Sequence, residues 1–160
     1  MNPYIELHLD TQARERSPAK VENAADGQTL YIYDMISADW GIGAKDVIAA
    51  LATADASKTL NVRINSPGGD VFESRAIIEA LGRFEGGTVA HIDSLAASAA
   101  TSIALACGTV NMAEGALFMI HNAKGMVWGD KHDMRKTADL LEKVEGAIVA
   151  DYTSKTGKPD

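Results

Sequence analysis

Short apolar runs separated by turn residues recur along most of the chain. The runs rich in β-forming residues predict five strands, at 29–33, 60–65, 88–92, 109–112 and 116–120. Apolar residues at helical spacing predict helices between them, at 44–52, after the glycine turn at 68–69, and from residue 99 to Cys107. This alternation predicts one α/β domain with a mainly parallel sheet.

The two ends of the chain have different patterns. Ile5, Leu7 and Leu9 alternate with polar residues, which predicts an edge strand, and the polar residues 11–28 predict a loop or adaptable arm. From 131 to 153, apolar residues form two adjacent stripes on one long helix. Such a helix either packs on its own domain or projects and meets a partner subunit.

Composition limits the possible functions. The 160 residues are 46% hydrophobic, which suffices for a single domain spanning 1–160. A net charge of −7 argues against nucleic acid as the main partner. Cys107 is the only cysteine, so we expect a buried thiol and no internal disulfide. Because no apolar run reaches transmembrane length and the start lacks a signal-peptide layout, we expect no membrane partner and a cytoplasmic location.

Three features with chemical potential each follow a predicted strand. They are the glycine turn with Gly69, Ser98 and His121. In parallel sheets the carboxyl ends of the strands meet at one edge, where sites form. Ser98 would be a nucleophile, His121 its general base, and the N–H groups of Gly69 and Ala99 the donors to an oxyanion. Together they predict acyl transfer by serine.

Each feature also has a structural explanation. Ser98 could cap a helix among small residues, the glycines could form an ordinary loop, and His121 could be a structural residue. The glycines are not a phosphate loop, because no Gly-Lys-Ser/Thr follows. The conjunction of three strand-end features in one order favours the catalytic interpretation. His91 and His132 have no comparable setting, and we expect no metal or cofactor.

The same residues resemble the ClpP-type serine peptidases. The runs NSPGG at 65–69, AASA at 96–99 and MIHN at 119–122 are similar to three signature blocks of that family, whose fold is crotonase-like. The residues around these three runs most resemble those of the phage and prophage branch of the family, the head maturation proteases. The alternative is a housekeeping subunit that works with an ATPase, a branch that usually has a bulkier residue than Ala99 after the nucleophile.

The resemblance implies a serine endopeptidase that acts on a protein or peptide, such as a capsid or scaffold protein. It also implies a homo-oligomer, in rings or stacked rings, assembled through a handle helix at 131–153. An ATPase partner is possible but less favoured, and no cofactor is implied. By the same resemblance, an extended substrate peptide would be bound by main chain at Gly68, Asp70, Val71, Ala123, Lys124 and Gly125.

The catalytic acid is the main departure from the family pattern. The family's aspartate lies past a Thr-Gly step that matches 156–157, and the sequence ends before reaching it. Asp160 comes too early, and Asp139 and Asp151 are expected on the helix surface. Loss of the group that fixes the tautomer of His121 costs roughly 10⁴ in turnover in triads. We therefore expect a domain truncated after the handle helix, with weak or no peptidase activity.

Three other functions stay open on the sequence. Acyl-CoA hydratases and isomerases use a similar scaffold without a serine–histidine pair. Serine–lysine peptidases would take Lys124 as the base in place of His121. A scaffold or assembly protein would need neither residue.

Overall fold

The computed structural model describes residues 18–24 and 27–158, and within them the chain forms six strands and four helices. The strands are β1 (Val21–Ala24), β2 (Gly27–Ile32), β3 (Leu60–Ser66), β4 (Thr88–Ala97), β5 (Thr109–Met112) and β6 (Leu117–Met119). The helices are α1 (Ala44–Leu51), α2 (Val71–Gly82), α3 (Ala99–Ala106) and α4 (Lys131–Thr156). The predicted alternation of strands and helices from residue 29 onward is confirmed.

The strands form a single sheet in the order β1-β2-β3-β4-β5, with β6 also paired to β4. Only β1 is antiparallel to its neighbour among the described strands; all other pairs are parallel. The long strand β4 makes this arrangement possible, because β5 pairs with its first half and β6 with its second half. The mainly parallel sheet is as predicted.

One face of the sheet carries the core. Buried and partly exposed residues alternate along β2 and β3, as expected for strands with one face covered. Apolar side chains of α1, α2 and α3 pack on that face. Its largest fully buried residues include Leu30, Ile32, Val47, Leu60, Val62, Ile64, Ile77, Ile92 and Ile103. Removal of this apolar surface from water is the main source of stability.

Helix α4 is attached differently from the other three. None of its residues is buried, and it packs chiefly on α3. Two of its side chains also contact Phe118 of β6 and Arg75 of α2. It begins at the Asp130 cap, whose side chain accepts from the N–H groups of His132 and Asp133, and it ends at Gly157 in the left-handed conformation. The helix is three residues longer than predicted, and much of it projects from the domain.

The predicted loop or arm at 11–28 is wrong for residues 21–24 and 27–28, whereas residues 18–20 have no regular secondary structure. Val21–Ala24 is a strand that pairs antiparallel with β2, and Gly27 and Gln28 already belong to β2. The strand was not predicted because its sequence, VENA, has little apolar alternation; main-chain hydrogen bonds at the sheet edge define it. Residues 11–17, 25 and 26, and the strand predicted at 5–9, lie outside the described residues. No described helix has the length and apolar character needed to cross a bilayer.

Candidate active site

Three parallel strand ends meet at one edge of the sheet. Ser66 at the end of β3 lies beside Ala96 of β4, and Ala97 of β4 lies beside Met119 of β6. The residues predicted to carry the chemistry, Gly69, Ser98 and His121, follow these strand ends within three positions. The convergence therefore follows from strand register rather than from any local motif.

Ser98 occupies the sharp turn between β4 and α3. Its backbone has φ 52° and ψ −128°, and it is the one non-glycine residue at positive φ in the described part of the chain. It stands at the N-cap position of α3, yet its hydroxyl makes no capping hydrogen bond. The simple N-cap explanation therefore does not account for this serine. A strained serine at a strand-to-helix turn, with its hydroxyl free, is typical of a nucleophile.

Two main-chain N–H groups beside Ser98 have no partner within the described residues. Ala99 is the first residue of α3, where an N–H has no intrahelical acceptor. Gly69 is held by Ile36, whose N–H donates to the Gly68 carbonyl at 2.8 Å and whose carbonyl accepts from the N–H of Asp70 at 2.8 Å. This two-bond clamp leaves the N–H of Gly69 unpaired. The two groups are suited to bind an oxyanion.

His121 lies two residues after β6 and is partly exposed. Its Nδ1 is 2.6 Å from the carbonyl oxygen of Asn122. With the proton on Nδ1, that contact is a hydrogen bond and Nε2 is left as the basic nitrogen. In the described part of the chain no hydrogen bond joins the imidazole to Ser98, although both side chains line one cavity. Catalytic hydrogen bonds are often long before substrate binds.

The cavity at this edge has a volume of about 400 Å³. Seven of the residues predicted for the site line it: Gly69, Val71, Ser98, Ala99, His121, Ala123 and Lys124. Gly68, Asp70 and Gly125 do not. The structure thus brings together the predicted nucleophile, base and oxyanion donors, and part of each of the two predicted peptide-binding stretches.

The three residues outside the cavity have structural positions instead. Asp70 differs from its predicted role because its N–H donates to Ile36, its carbonyl accepts from Ser74, and its side chain caps α2. No main-chain group of Asp70 is left to pair with a peptide. Gly68 lies directly behind Ser98, and Gly125 lies against Leu141 of α4.

The other titratable candidates are accounted for by their contacts. His91 Nε2 is 2.9 Å from the Asn61 side-chain oxygen, and His132 is exposed in the first turn of α4. No carboxylate is among the residues that line the cavity. Asp151 was expected on the helix surface, but it is partly buried and forms an ion pair with Arg75 at 2.8 Å. The described residues contain no cluster of acidic, histidine or cysteine side chains that could hold a metal ion.

Sequence reasoning missed four residues that shape the site. Arg75, Thr101 and Tyr152 line the cavity, and Ile36 fixes the glycine turn from outside it. The Ile36 contacts are made by main chain, so no residue pattern could indicate them. Tyr152 lies in the long helix, and the partner of its hydroxyl could not be identified without the tertiary structure.

The buried thiol at the C-terminal end of α3 is structural. Cys107 is 1% exposed, as predicted, and burial raises the pKa of its thiol to about 11. A thiol with so high a pKa is almost fully protonated at neutral pH and is a poor nucleophile.

The sequence and fold are similar to those of known proteins. Residues 15–160 match the model of the family described as Clp protease. A curated relative, the ATP-dependent Clp protease proteolytic subunit of Porphyromonas gingivalis, is 29% identical over 116 residues, covering 68% of this chain and 50% of the relative. The chain thus spans about half the length of that relative.

A solved structure of a ClpP1 mutant from Listeria monocytogenes superposes with a TM-score of 0.69 at 19% identity, covering 98% of this chain and 78% of that chain. At that identity the likeness shows the fold alone, and it confirms the predicted ClpP-like α/β fold with a C-terminal helix. The family assignment comes from the sequence match, which extends over nearly the whole length. The chain belongs to the Clp protease family.

Proposed function

We propose that this chain is the peptidase domain of a serine endopeptidase, with Ser98 as nucleophile and His121 as general base. The observation that carries the proposal is the backbone of Ser98, strained to φ 52° beside two unpaired N–H groups. Strain of this kind costs roughly 1–3 kcal/mol and persists mainly where function requires it. Family membership supports the same chemistry.

In the proposed reaction the Ser98 hydroxyl attacks the scissile carbonyl carbon while Nε2 of His121 takes its proton. The developing oxyanion is bound by the N–H groups of Gly69 and Ala99. The imidazolium then gives the proton to the leaving amine, and an acyl-enzyme remains on Ser98. Water, activated by His121, hydrolyses that ester. Each oxyanion donor is expected to contribute about 10²–10³ in turnover.

His121 needs a partner that fixes its tautomer. The carbonyl of Asn122 provides an acceptor for Nδ1, but it has no negative charge to stabilise the imidazolium. We propose that the acid is an aspartate beyond Asp160 in a longer protein, and that residues 1–160 alone hydrolyse peptides weakly.

Substrate would bind as an extended strand beside 122–125. No N–H between 120 and 128 donates a main-chain hydrogen bond within the described residues, so this edge can pair with a peptide. Ala123 and Lys124 also face the cavity. At Val71, the first residue of α2, the N–H has no intrahelical acceptor and is a second possible contact.

We further propose that the protein assembles into homo-oligomers through α4. The helix buries none of its residues, and Met134 and Leu140 are about half exposed. The loop before it presents Met126 and Trp128 almost fully to solvent. Four exposed apolar residues on a projecting helix and the loop before it are typical of a protein–protein interface.

Two biological settings fit this chemistry. The amino-acid sequence of the three motif blocks favours a phage head maturation protease that acts on a capsid or scaffold protein. The name of the P. gingivalis relative favours a proteolytic subunit that works with an ATPase. Incubation with a capsid precursor, with and without ATP and an unfoldase, separates them: cleavage without ATP supports the first, and dependence on the ATPase supports the second.

The chemistry is tested by reaction with a fluorophosphonate probe and mass spectrometry of the labelled peptide. We expect label on Ser98 in the wild type, none in Ser98→Ala, and a large loss in His121→Ala. Lys124→Ala is the matched control, since Lys124 also lines the cavity. Label lost in Lys124→Ala but kept in His121→Ala would select a serine–lysine peptidase. No label on folded wild type would favour a hydratase-type or scaffold function.

A further inference from the structure

Two hydroxyl groups that the proposed reaction does not use connect α4 to the nucleophile. Thr101 is buried one turn after Ser98, and its hydroxyl hydrogen-bonds to both the Ser98 carbonyl and the Tyr152 hydroxyl. A threonine hydroxyl has a single hydrogen. Because Thr101 donates that hydrogen to the Ser98 carbonyl, Tyr152 must donate to Thr101. The relay therefore runs in one direction, from Tyr152 through Thr101 to Ser98.

The Ser98 backbone needs such support. A non-glycine residue at positive φ is retained only when its surroundings fix it. The N–H of Ser98 donates to the Met119 carbonyl at 2.9 Å, and its carbonyl accepts from the N–H of Thr101 at 2.9 Å. The Thr101 hydroxyl is a second donor to the same carbonyl. The turn is thus held on both sides, and one of these contacts depends on a side chain that Tyr152 orients.

Tyr152 is itself well positioned. Its ring packs edge-on against Phe118, with centroids 6.4 Å apart. Burial raises the pKa of its hydroxyl, which therefore stays protonated and able to donate at neutral pH. The nearby attachments of the last turns of α4 are different: Asp151 pairs with Arg75, and Lys155 donates to the carbonyls of Cys107 and Gly108.

We propose that Tyr152 and Thr101 are positioning residues that hold the strained Ser98 turn, so that the reactivity of the nucleophile depends on the Tyr152 hydroxyl that α4 contributes. The proposal rests on the proposed function in taking Ser98 as the nucleophile. Neither hydroxyl takes part in bond making; both act through the Ser98 main chain.

The test uses the full chain and variants that change single hydroxyls. Tyr152→Phe keeps the ring and removes its hydroxyl, Thr101→Val removes the other hydroxyl at nearly constant volume, and Thr101→Ser restores it. Lys155→Met is the matched control, because it removes a different attachment of α4 and leaves the relay intact. Two readouts are measured: the fluorophosphonate labelling rate at Ser98, and amide hydrogen exchange of the segment 98–101.

We expect Tyr152→Phe and Thr101→Val each to lower the maximal labelling rate about three- to ten-fold, the effect of one hydrogen bond. The probe concentration at half that rate should not change, because the relay positions the nucleophile and does not bind the probe. Exchange at 98–101 should accelerate by a similar factor. The double variant should be no worse than Thr101→Val alone, since both changes break one relay. Thr101→Ser should recover the rate, and Lys155→Met should match the wild type.

Unchanged exchange in Tyr152→Phe, additive effects in the double variant, or an equal effect of Lys155→Met would each overturn the relay. If the wild type is not labelled, but the Tyr152→Phe and Thr101→Val variants still show faster exchange at 98–101, the peptidase chemistry is refuted and the relay is supported. The two proposals can therefore fail separately.

Discussion

Substitution of Gly68 by alanine should disrupt the site from behind. A Cβ at this position would lie 2.4 Å from the Ala97 carbonyl oxygen, 2.7 Å from Ser98 Cβ and 2.9 Å from the Ala99 nitrogen. All three are main-chain atoms or a Cβ, so none can rotate away. The added methyl group can be accommodated only if the glycine turn and the nucleophile turn move apart.

The expected loss of stability has two contributions. Gly68 has φ +85°, where an L-residue costs about 1–2 kcal/mol relative to glycine. Overpacking against rigid neighbours typically costs a further 1–3 kcal/mol, approximately. Gly68→Ala should therefore lower the free energy of unfolding by about 2–5 kcal/mol. Displacement of Ser98 by about 1 Å should also slow acylation about 10²-fold.

Gly115→Ala is the control that separates the two contributions. Gly115 has φ +79°, but a Cβ there would meet nothing within 4 Å. It should cost only the backbone part, about 1–2 kcal/mol, and leave the labelling of Ser98 unchanged. Urea unfolding and fluorophosphonate labelling of both variants make the comparison. If Gly68→Ala matched Gly115→Ala in stability and reacted at the wild-type rate, the argument that the two turns are in hard contact would be wrong.

Two further predictions concern Cys107 and Arg75. The folded state holds the Cys107 proton more tightly than the unfolded chain, so the free energy of unfolding should fall as pH rises from about 9 towards 11. Urea unfolding of Cys107→Ala should show a shallower decline in that range, and an identical decline would contradict the assignment. Arg75→Met should lower the free energy of unfolding by about 1–2 kcal/mol, because it leaves the partly buried Asp151 carboxylate without its cation. Asp151→Asn combined with Arg75→Met should recover part of that loss in the same urea assay, and full additivity would argue against the pair.

Much of the fold could be predicted because it depends on local patterns. The strands β3 and β5 begin and end within one residue of prediction, since apolar alternation and flanking turn residues define them. β4 is five residues longer than its β-forming run, because pairing with β6 extends it through the small residues up to Ala97. Strand β1 was missed because its pairing with β2, not its composition, makes it a strand.

The residues of the candidate site also fall into two groups, those that the sequence could indicate and those that it could not. The positions of Ser98, His121 and Gly69 after strand ends could be predicted, because each is a distinctive residue after a recognisable strand. The clamp at Ile36 could not, because its main-chain partners at Gly68 and Asp70 are set by the tertiary arrangement. The Asp70 cap is local, since its side chain accepts from the N–H groups of Phe72 and Glu73, and an Asp directly before a helix is a sequence signal for it. A residue type indicates which bonds a side chain can make, but it does not indicate which main-chain groups are already occupied.

The sequence by itself determined the order of strands and helices and the identity of a serine, a histidine and a glycine pair at strand ends. Only the tertiary structure decided that these ends share one cavity, that Ser98 is held at positive φ, and that Tyr152 reaches Thr101 from 51 residues away in sequence. The physical reason is the range of the interactions involved. Periodicity and turn propensity act over a few residues, whereas strand register, main-chain pairing and hydroxyl contacts form only when distant segments pack together.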